Sequence, residues 1–252
     1  MGRSADPGSR PAATVDQVPD PVFLITGASQ GIGAATARAA AAAGYRVVLA
    51  ARRPGPLAEL AAELGGPPQA VPFSCDIGDW AQLQDLITQL RRGPGRLDVA
   101  LANAASAVDT SFLGRGGTPP AEWAGMVQTN VLGTALTARA VLPMLAETGG
   151  HLLLTGSVAG RVLRPGSLYS ATKWAVSALA ASIRAECVGS GVRVTLIQPG
   201  LTDAGPVSPG READPKLDPA DVARAVLYAV SQPPGVDVSE IVIRPTGQDP
   251  FR

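Results

Sequence analysis

The sequence predicts an α/β fold in which helices cover both faces of a parallel sheet. Short, mostly apolar runs, typical of strands buried on both faces, alternate with segments that carry apolar residues at helical spacing. Strict alternation implies right-handed crossovers, which make the strands parallel. The length of 252 residues suits one such domain, since α/β folds extend to about 250 residues undivided. We therefore predict a doubly wound, three-layer fold with a seven-stranded sheet.

Composition excludes several classes of protein. Basic and acidic residues balance at 21 each, so no net charge would attract nucleic acid or an anionic membrane. Cys75 and Cys187 lie far apart and His151 is the single histidine, which supports neither a zinc site nor a disulfide framework. No apolar run reaches 18 residues, and the N-terminus lacks the order of a signal peptide. We expect a cytoplasmic protein that binds a small molecule and no metal ion.

Residues 1–20 precede the alternating pattern. They contain Pro7, Pro11 and Pro19 among small polar residues, with almost no apolar periodicity, which predicts a disordered tail. We assign residues 21–252 to a single domain.

A glycine-rich turn joins the first strand, residues 22–25, to the first helix. Gly27, Gly31 and Gly33 let the backbone bend tightly and approach a ligand, and the alanine-rich residues 32–43 favour a helix. This order leaves backbone N–H groups and the positive end of the helix dipole facing outward, which is typical of a pyrophosphate site. A glycine triplet is a short motif, so a structural strand-to-helix turn is the alternative.

The remaining elements follow in order. Strands are predicted at residues 46–50, 70–74, 98–102, 150–155, 192–198 and 240–244, and helices at residues 56–64, 79–91, 119–145, 167–188 and 218–231. Pro56 suits the first turn of its helix, and Asp79 is a helix cap. The longest connections follow the fourth to sixth strands, which puts the ligand crevice at their carboxyl ends. The aperiodic, proline-containing residues 203–217 are predicted to form a substrate lid.

Tyr169 and Lys173 are the clearest candidates for catalytic residues. Four residues apart on one predicted helix, they share a face, and an ammonium group beside a phenol favours the phenolate. A tyrosine alone titrates at about pH 10, so it needs such a neighbour to exchange protons at neutral pH. Lys173 and Lys216 are the only lysines among 21 basic residues. The pair could form a solvated helix face, but its position after the fifth strand favours catalysis.

These segments together resemble the short-chain dehydrogenase/reductase family, whose members have a Rossmann fold. The resemblance covers about residues 22–246 and rests on TGASQGIG at residues 26–33, Asp76, NAA at residues 103–105, Asn130, Ser157, YSATK at residues 169–173 and PG at residues 199–200. It implies that Tyr169 exchanges the proton and that Lys173 lowers the pKa of Tyr169 and holds the nicotinamide ribose. Ser157 would orient the substrate oxygen, as its position just past the fifth strand allows. Asn130 would hold a water in the proton relay.

The predicted cofactor contacts extend along the whole crevice. They are Gly27, Ser29, Gln30, Gly31, Ile32, Gly33, Arg52, Arg53, Asp76, Ile77, Asn103, Ala104, Tyr169, Lys173, Pro199, Gly200 and Thr202. Three features depart from the family pattern. Ala102 and Ala105 replace an asparagine and a glycine, the Ser157-to-Tyr169 spacing is one residue shorter than in most relatives, and Thr202 stands closer to Gly200 than is usual.

The end of the second strand predicts NADP rather than NAD. An NAD enzyme needs a carboxylate there to bind the adenosine ribose, and Ala51 stands at that position. Arg52 offers a planar fork of donors suited to a 2′-phosphate, with Arg53 beside it. Both arginines could instead be solvated loop charges, since Gln30 replaces the basic residue often found in the glycine turn of NADP users.

We therefore predict an NADP(H)-dependent oxidoreductase that moves hydride between nicotinamide and a carbonyl/alcohol pair. The alternative is a non-catalytic dinucleotide-binding sensor on the same fold, against which Ser157, Tyr169 and Lys173 argue. Apolar residues on more than one side of the helices at 119–145 and 167–188, together with the resemblance, imply a homodimer or homotetramer. Structural roles are predicted for His151, Cys75, Cys187, Trp123 and Trp174.

Overall fold

The structure is a computed structural model that describes residues 20–205 and 211–249. Seven strands form one sheet in the order β3-β2-β1-β4-β5-β6-β7, and every neighbouring pair is parallel. The strands are β1 Val22–Thr26, β2 Arg46–Ala51, β3 Ala70–Ser74, β4 Val99–Ala102, β5 His151–Thr155, β6 Arg193–Pro199 and β7 Glu240–Ile243. This order confirms the predicted doubly wound fold. The predicted tail at residues 1–19 lies outside the described residues.

Helices cover both faces of the sheet. They are α1 Gly31–Ala42, α2 Pro54–Glu63, α3 Trp80–Arg92, α4 Trp123–Val127, α5 Thr134–Thr148, α6 Leu168–Glu186 and α7 Pro219–Val230. Alternate residues of β1 point to opposite faces, so Leu24 packs in the core beneath α3, α5 and α6. Ile25 packs in the core beneath α1, α2 and α7. Burial on both faces explains why the strands are continuously apolar.

The helix starts fall into two groups. Side chains of Asp79, Ser167 and Asp218 accept backbone N–H groups at the starts of α3, α6 and α7. At the start of α1, by contrast, Gln30 makes no side-chain cap and the first turn holds no acidic residue. The free N–H groups at the start of α1 are therefore open to an external anion.

The predicted single helix over residues 119–145 is wrong in one respect, because the chain there is not one regular helix. A 3₁₀ turn, Pro120–Glu122, precedes α4, and a π-helical segment, Gln128–Gly133, separates α4 from α5. The side chain of Asn130 explains the wider turn. Its Oδ1 accepts the Ser106 N–H at 2.8 Å, and its Nδ2 donates to the Ser106 carbonyl at 2.8 Å. Periodicity does not reveal such a contact, since Ser106 lies 24 residues earlier.

Candidate active site

The predicted site residues follow adjacent strands at one edge of the sheet. The glycine turn follows β1, Asn103 follows β4, Ser157 follows β5 and Pro199 ends β6. These strands lie side by side in the order β1-β4-β5-β6. Because the chain turns in opposite directions from β1 and from β4, a crevice opens between them at the carboxyl ends.

The glycine turn is shaped by close backbone approaches. Gly27 and Gly31 have positive φ angles of 67° and 54°, which favour glycine. A Cβ atom on Gly33 would lie 2.3 Å from the Gly27 carbonyl oxygen, so only glycine fits there. Ser29 is partly buried and Gln30 is exposed. The side chain of Ile32 is partly buried and packs against the core. The turn therefore brings backbone N–H groups to the surface at the start of α1.

Asn103 ties three strand ends together. Its Nδ2 donates to the Thr26 carbonyl at 3.1 Å, and its Oδ1 accepts the Thr155 hydroxyl at 3.2 Å. The Thr26 hydroxyl accepts the N–H groups of Asn103 and Ala104 at 3.0 and 3.2 Å. These bonds fix the geometry where β1, β4 and β5 end. None of the described non-glycine residues has a positive φ, so Ala105 fits in place of the usual glycine.

Lys173 is buried on α6. Its side chain is 2% exposed, and Nζ donates to the Thr155 carbonyl at 2.9 Å. Burial lowers the pKa of Lys173 to about 8. Nζ also lies 5.7 Å from the centre of the Tyr169 ring. The helix is held close to the preceding turn, since a Cβ on Gly160 would lie 2.5 Å from the Lys173 carbonyl oxygen.

Tyr169 lies beside Ser157. Burial raises the pKa of the Tyr169 phenol, and hydrogen bonding to the Ser157 side chain and the positive charge of Arg164 act in the opposite direction. The pKa is thus raised rather than lowered, which differs from the effect expected of Lys173 alone. Ser157 Oγ also accepts the Ala159 N–H at 3.1 Å, which orients the hydroxyl at the start of the 3₁₀ turn Val158–Gly160.

Asn130 is connected to α6, the helix that carries Tyr169 and Lys173. Its Nδ2 donates to the Thr172 hydroxyl at 3.0 Å, and Thr172 Oγ1 donates to the Tyr169 carbonyl at 2.7 Å. The Asn130 carbonyl accepts the Thr134 hydroxyl at 2.8 Å. A chain of hydrogen bonds therefore positions α6 relative to the π-helical segment.

Comparison with known proteins identifies the family. Residues 21–214 match the family model for short chain dehydrogenase. The chain belongs to the short-chain dehydrogenase family. Its members are oxidoreductases, and this enzyme acts on a CH–OH or C=O group with a nicotinamide cofactor.

Several relatives of this short-chain dehydrogenase match over nearly their whole length. An uncharacterised oxidoreductase from Staphylococcus saprophyticus is 37% identical over 235 residues, which cover 91% of this chain and 99% of that protein. An alcohol dehydrogenase from Thermococcus sibiricus, solved with 5-hydroxy-NADP, has a TM-score of 0.81 at 31% identity, covering 91% of this chain and 98% of that one. Serine dehydrogenase from Escherichia coli has a TM-score of 0.80 at 30% identity, covering 90% and 99%.

In this short-chain dehydrogenase two exposed arginines, Arg52 and Arg53, directly follow the second strand. Arg53 Nη2 donates to Gln30 Oε1 at 2.5 Å and lies 3.5 Å from Ser29 Oγ. The guanidinium of Arg53 therefore stands beside the glycine turn, while Arg52 is exposed after the end of β2. Ala51, at the position where NAD enzymes carry a carboxylate, is partly buried.

Two of the predicted cofactor contacts, Asp76 and Ile77, follow β3. Asp76 Oδ1 accepts the Gly78 N–H at 2.9 Å, which shapes the turn before α3. Ile77 is buried and packs tightly against Gly133, where an added Cβ would lie 2.8 Å from Ile77 Cδ1. The turn is thereby linked to the π-helical segment that carries Asn130.

Backbone hydrogen bonds join the two ends of the segment that follows β6. Thr202 pairs with Leu217 in a short parallel bridge, and Asp203 N donates to the Leu217 carbonyl at 2.9 Å. Gly200 N donates to the Ile243 carbonyl at 2.7 Å. Ala204 reaches the glycine turn, since a Cβ on Gly31 would lie 2.9 Å from Ala204 Cβ. Residues 206–210 of the predicted lid lie outside the described residues.

Other chemically capable residues lie away from this cluster. His151 is buried in β5, its Nε2 lies 2.7 Å from Thr195 Oγ1, and burial lowers its pKa to about 3. Cys75 and Cys187 are buried and form no disulfide. Within residues 20–205 and 211–249, no group of three or more His, Cys, Asp or Glu side chains could hold a metal ion. Among the same residues, no helix is both long and apolar enough to cross a bilayer.

Sequence reasoning missed the residues that act through others. Thr172 and Gly160 position α6. A single sequence does not distinguish such a threonine or glycine from the many others in the chain. Arg164 was also missed, although it precedes Tyr169 by five residues. Its electrostatic effect on Tyr169 becomes visible only in three dimensions.

Proposed function

We propose that this short-chain dehydrogenase transfers hydride between NADP(H) and a carbonyl/alcohol substrate at a site formed by Asn130, Ser157, Tyr169 and Lys173. The observation that carries the proposal is the meeting of Ser157 with Tyr169 and Lys173 at the end of β5. A buried lysine, a phenol and a hydroxyl beside an open helix N-terminus are the groups that a nicotinamide-dependent reaction requires.

The residues present fit a dinucleotide. The open N–H groups at the start of α1 would bind the pyrophosphate, because no side chain caps them. Lys173 Nζ donates one hydrogen bond to the Thr155 carbonyl, so its remaining N–H groups could bind ribose hydroxyls. When bound, the nicotinamide supplies the hydride or accepts it.

The side chains of the site would move the proton and hold the substrate oxygen. In the reductive direction Tyr169 donates its phenolic proton to that oxygen, and its raised pKa keeps the phenol protonated at neutral pH. The Ser157 hydroxyl would donate a hydrogen bond to the same oxygen as negative charge develops on it. Lys173 would stabilise the phenolate left after transfer, because its ammonium lies near the ring.

NADP is the preferred form of the cofactor in this proposal. Ala51 offers no carboxylate to the adenosine ribose, and the guanidinium groups of Arg52 and Arg53 supply donors for a 2′-phosphate. The bond from Arg53 to Gln30 supports this, since it holds one guanidinium beside the glycine turn. NADP is also the form named with the related alcohol dehydrogenase, which was solved with 5-hydroxy-NADP.

Oxidation of NADPH, followed by absorbance with a panel of aldehydes and ketones, tests the proposal. Tyr169→Phe should lower kcat by about 100-fold or more, because general acid catalysis contributes roughly 10²–10⁴-fold. NADPH affinity should stay nearly unchanged, since the ring is retained. Tyr228→Phe, an exposed tyrosine on α7, is the matched control and should retain full activity.

A variant Tyr169→Phe that keeps more than a few per cent of wild-type kcat would remove Tyr169 from the proton-transfer role. Binding of NADPH without turnover of any carbonyl compound would instead favour the alternative function, a non-catalytic dinucleotide-binding sensor.

A further inference from the structure

Arg164 lies near the proposed catalytic tyrosine and near a second arginine, Arg211. Arg164 lies in the loop between the 3₁₀ turn Val158–Gly160 and α6, and Arg211 lies in the segment after β6. The charge of Arg164 acts both on Tyr169 and on Arg211, so Arg164 lies close to each of them. Arg164 is half-buried, and the side chain of Arg211 is only 13% exposed.

Arg211 has hydrogen-bonding capacity left over. Its Nε donates to Asp214 Oδ2 at 2.8 Å, which orients the guanidinium. Its Nη2 is buried and makes no hydrogen bond to any described residue. A buried donor without an acceptor is unfavourable, and an oxyanion bound there would satisfy it.

The loop that carries Arg164 is held in place on both sides. The Arg164 carbonyl accepts the Ser167 N–H at 3.2 Å, and the Gly166 carbonyl accepts the Thr110 hydroxyl at 2.5 Å. On the other side, Ser170 Oγ donates to the Val162 carbonyl at 3.1 Å. Arg164 therefore extends from a fixed backbone, which reduces the entropy lost when a ligand is bound.

We propose that the substrate carries an oxyanion group, a carboxylate or a phosphate, which binds between Arg164 and Arg211 while its carbonyl or hydroxyl group meets Tyr169. This inference rests on the proposed function and adds the substrate class to it. Arginine suits the role because its planar fork of N–H donors matches the oxygens of both groups. A neutral alcohol or ketone would leave Arg211 Nη2 unsatisfied.

Matched pairs of substrates test the inference. NADPH-dependent reduction of 4-oxobutanoate is compared with reduction of its methyl ester, and reduction of glyceraldehyde 3-phosphate with that of glyceraldehyde. The anionic member of at least one pair should have a kcat/KM about 10- to 100-fold higher, as expected for charge-assisted hydrogen bonds. The two pairs distinguish a carboxylate from a phosphate.

Arg164→Gln and Arg211→Gln should each reduce that ratio by about tenfold or more. Arg164→Gln could also slow the neutral substrate through Tyr169, so the ratio, and not the rate, reports anion recognition. Arg164→Lys and Arg211→Lys, which retain the charge, should recover part of the ratio. Arg161→Gln is the matched control, because Arg161 lies in the same loop but bonds Glu240 on β7. Its ratio should equal that of the wild type.

Calorimetry separates this inference from the proposed function. Succinate, added to protein that contains NADP⁺, should bind wild type and bind both glutamine variants at least tenfold more weakly. Equal use of acid and ester, equal use of phosphate and neutral aldehyde, and ratios unchanged in both glutamine variants would overturn the anion site while leaving the dehydrogenase activity intact. Arginine-dependent succinate binding without turnover of any aldehyde would support the anion site and overturn the proposed function.

Discussion

Lys173 illustrates how a single side chain couples function to stability. It is buried at 2% exposure on α6, and burial lowers its pKa to about 8 from 10.5. A lysine that binds its proton less tightly in the folded state destabilises that state below pH 8. The effect corresponds to roughly 3 kcal/mol and disappears as the pH rises from about 8 to 10.5.

Replacement of this lysine should therefore separate activity from stability. In the cofactor-free protein, Lys173→Met should raise the free energy of unfolding at pH 7 by about 1–3 kcal/mol, after the lost bond to Thr155 is allowed for. The gain should shrink between pH 8 and 10.5, while turnover and NADP affinity both fall. Denaturant unfolding at several pH values and nucleotide titration measure these effects.

Lys216→Met supplies the control, since Lys216 is the other lysine of the chain and is exposed. It should leave the pH dependence of the free energy of unfolding unchanged. A Lys173→Met protein that is less stable than wild type at pH 7 would contradict the argument from burial, and unchanged NADP affinity would contradict the ribose contact.

Cofactor choice is also decided by individual side chains. Ala51→Asp combined with Arg52→Ala should shift the preference toward NAD, because a carboxylate would bind the ribose hydroxyls and repel a 2′-phosphate. A charge-assisted contact of about 1.5–3 kcal/mol corresponds to a roughly ten- to hundredfold preference. Measurement of kcat/KM with both cofactors in wild type and variant tests this. Equal kcat/KM values of the wild type with NAD and NADP would contradict the predicted preference for NADP.

At the scale of single elements, the strand-to-helix turn after β1 depends on close packing of backbone. A Cβ on Gly33 would lie 2.3 Å from the Gly27 carbonyl oxygen and 2.9 Å from Asn103 Nδ2. Gly33→Ala should therefore displace the turn and lower stability by about 1–3 kcal/mol, as overpacking does. NADP affinity should fall more than tenfold, since the displaced N–H groups no longer converge on one phosphate.

The matched variant Gly55→Ala lies in α2, where an added Cβ meets nothing within 4 Å. Thermal unfolding and nucleotide titration of the two variants should differ sharply. If Gly33→Ala bound NADP as tightly as Gly55→Ala, the glycine turn would not be the pyrophosphate site.

The π-helical segment shows why pattern alone misjudged one element. Residues 119–145 have the composition of a continuous helix, and periodicity records only which side chains are apolar. The side chain of Asn130 instead pairs with the main chain at Ser106 and with Thr172 on α6. These partners are distant in the sequence, so tertiary contact overrode the local preference for regular helix.

For the whole molecule, two exposed apolar side chains, one on the π-helical segment and one on α6, support the prediction of an oligomer. Leu132 is 48% and Trp174 44% exposed, whereas Val176 on the same helix as Trp174 is 1% exposed and faces the core. The helices thus retain apolar surface after the core is formed, and closed symmetric oligomers are common among soluble enzymes.

Light scattering at micromolar concentration should give twice or four times the chain mass of 25.5 kDa. Leu132→Glu with Trp174→Glu should shift the protein toward the monomer, because charges would be buried at the interface. Val188→Glu, at an exposed apolar residue just beyond α6, is the control and should leave the mass unchanged. A wild-type protein that gave a single 25.5 kDa species would count against assembly.

The order of strands and helices, the doubly wound fold and the family could all be predicted from the amino-acid pattern, because buried strands, glycine turns and helix caps are local features. The four-residue spacing also indicated Tyr169 and Lys173 as candidates, and the family resemblance added Ser157. Which side chains act on one another became known from the three-dimensional structure. Burial raised the pKa of Tyr169, the π-helical turn formed around Asn130, and Arg164 came to lie beside Arg211. Each of these depends on the distance and solvent exposure of groups far apart in the chain, which no local pattern encodes.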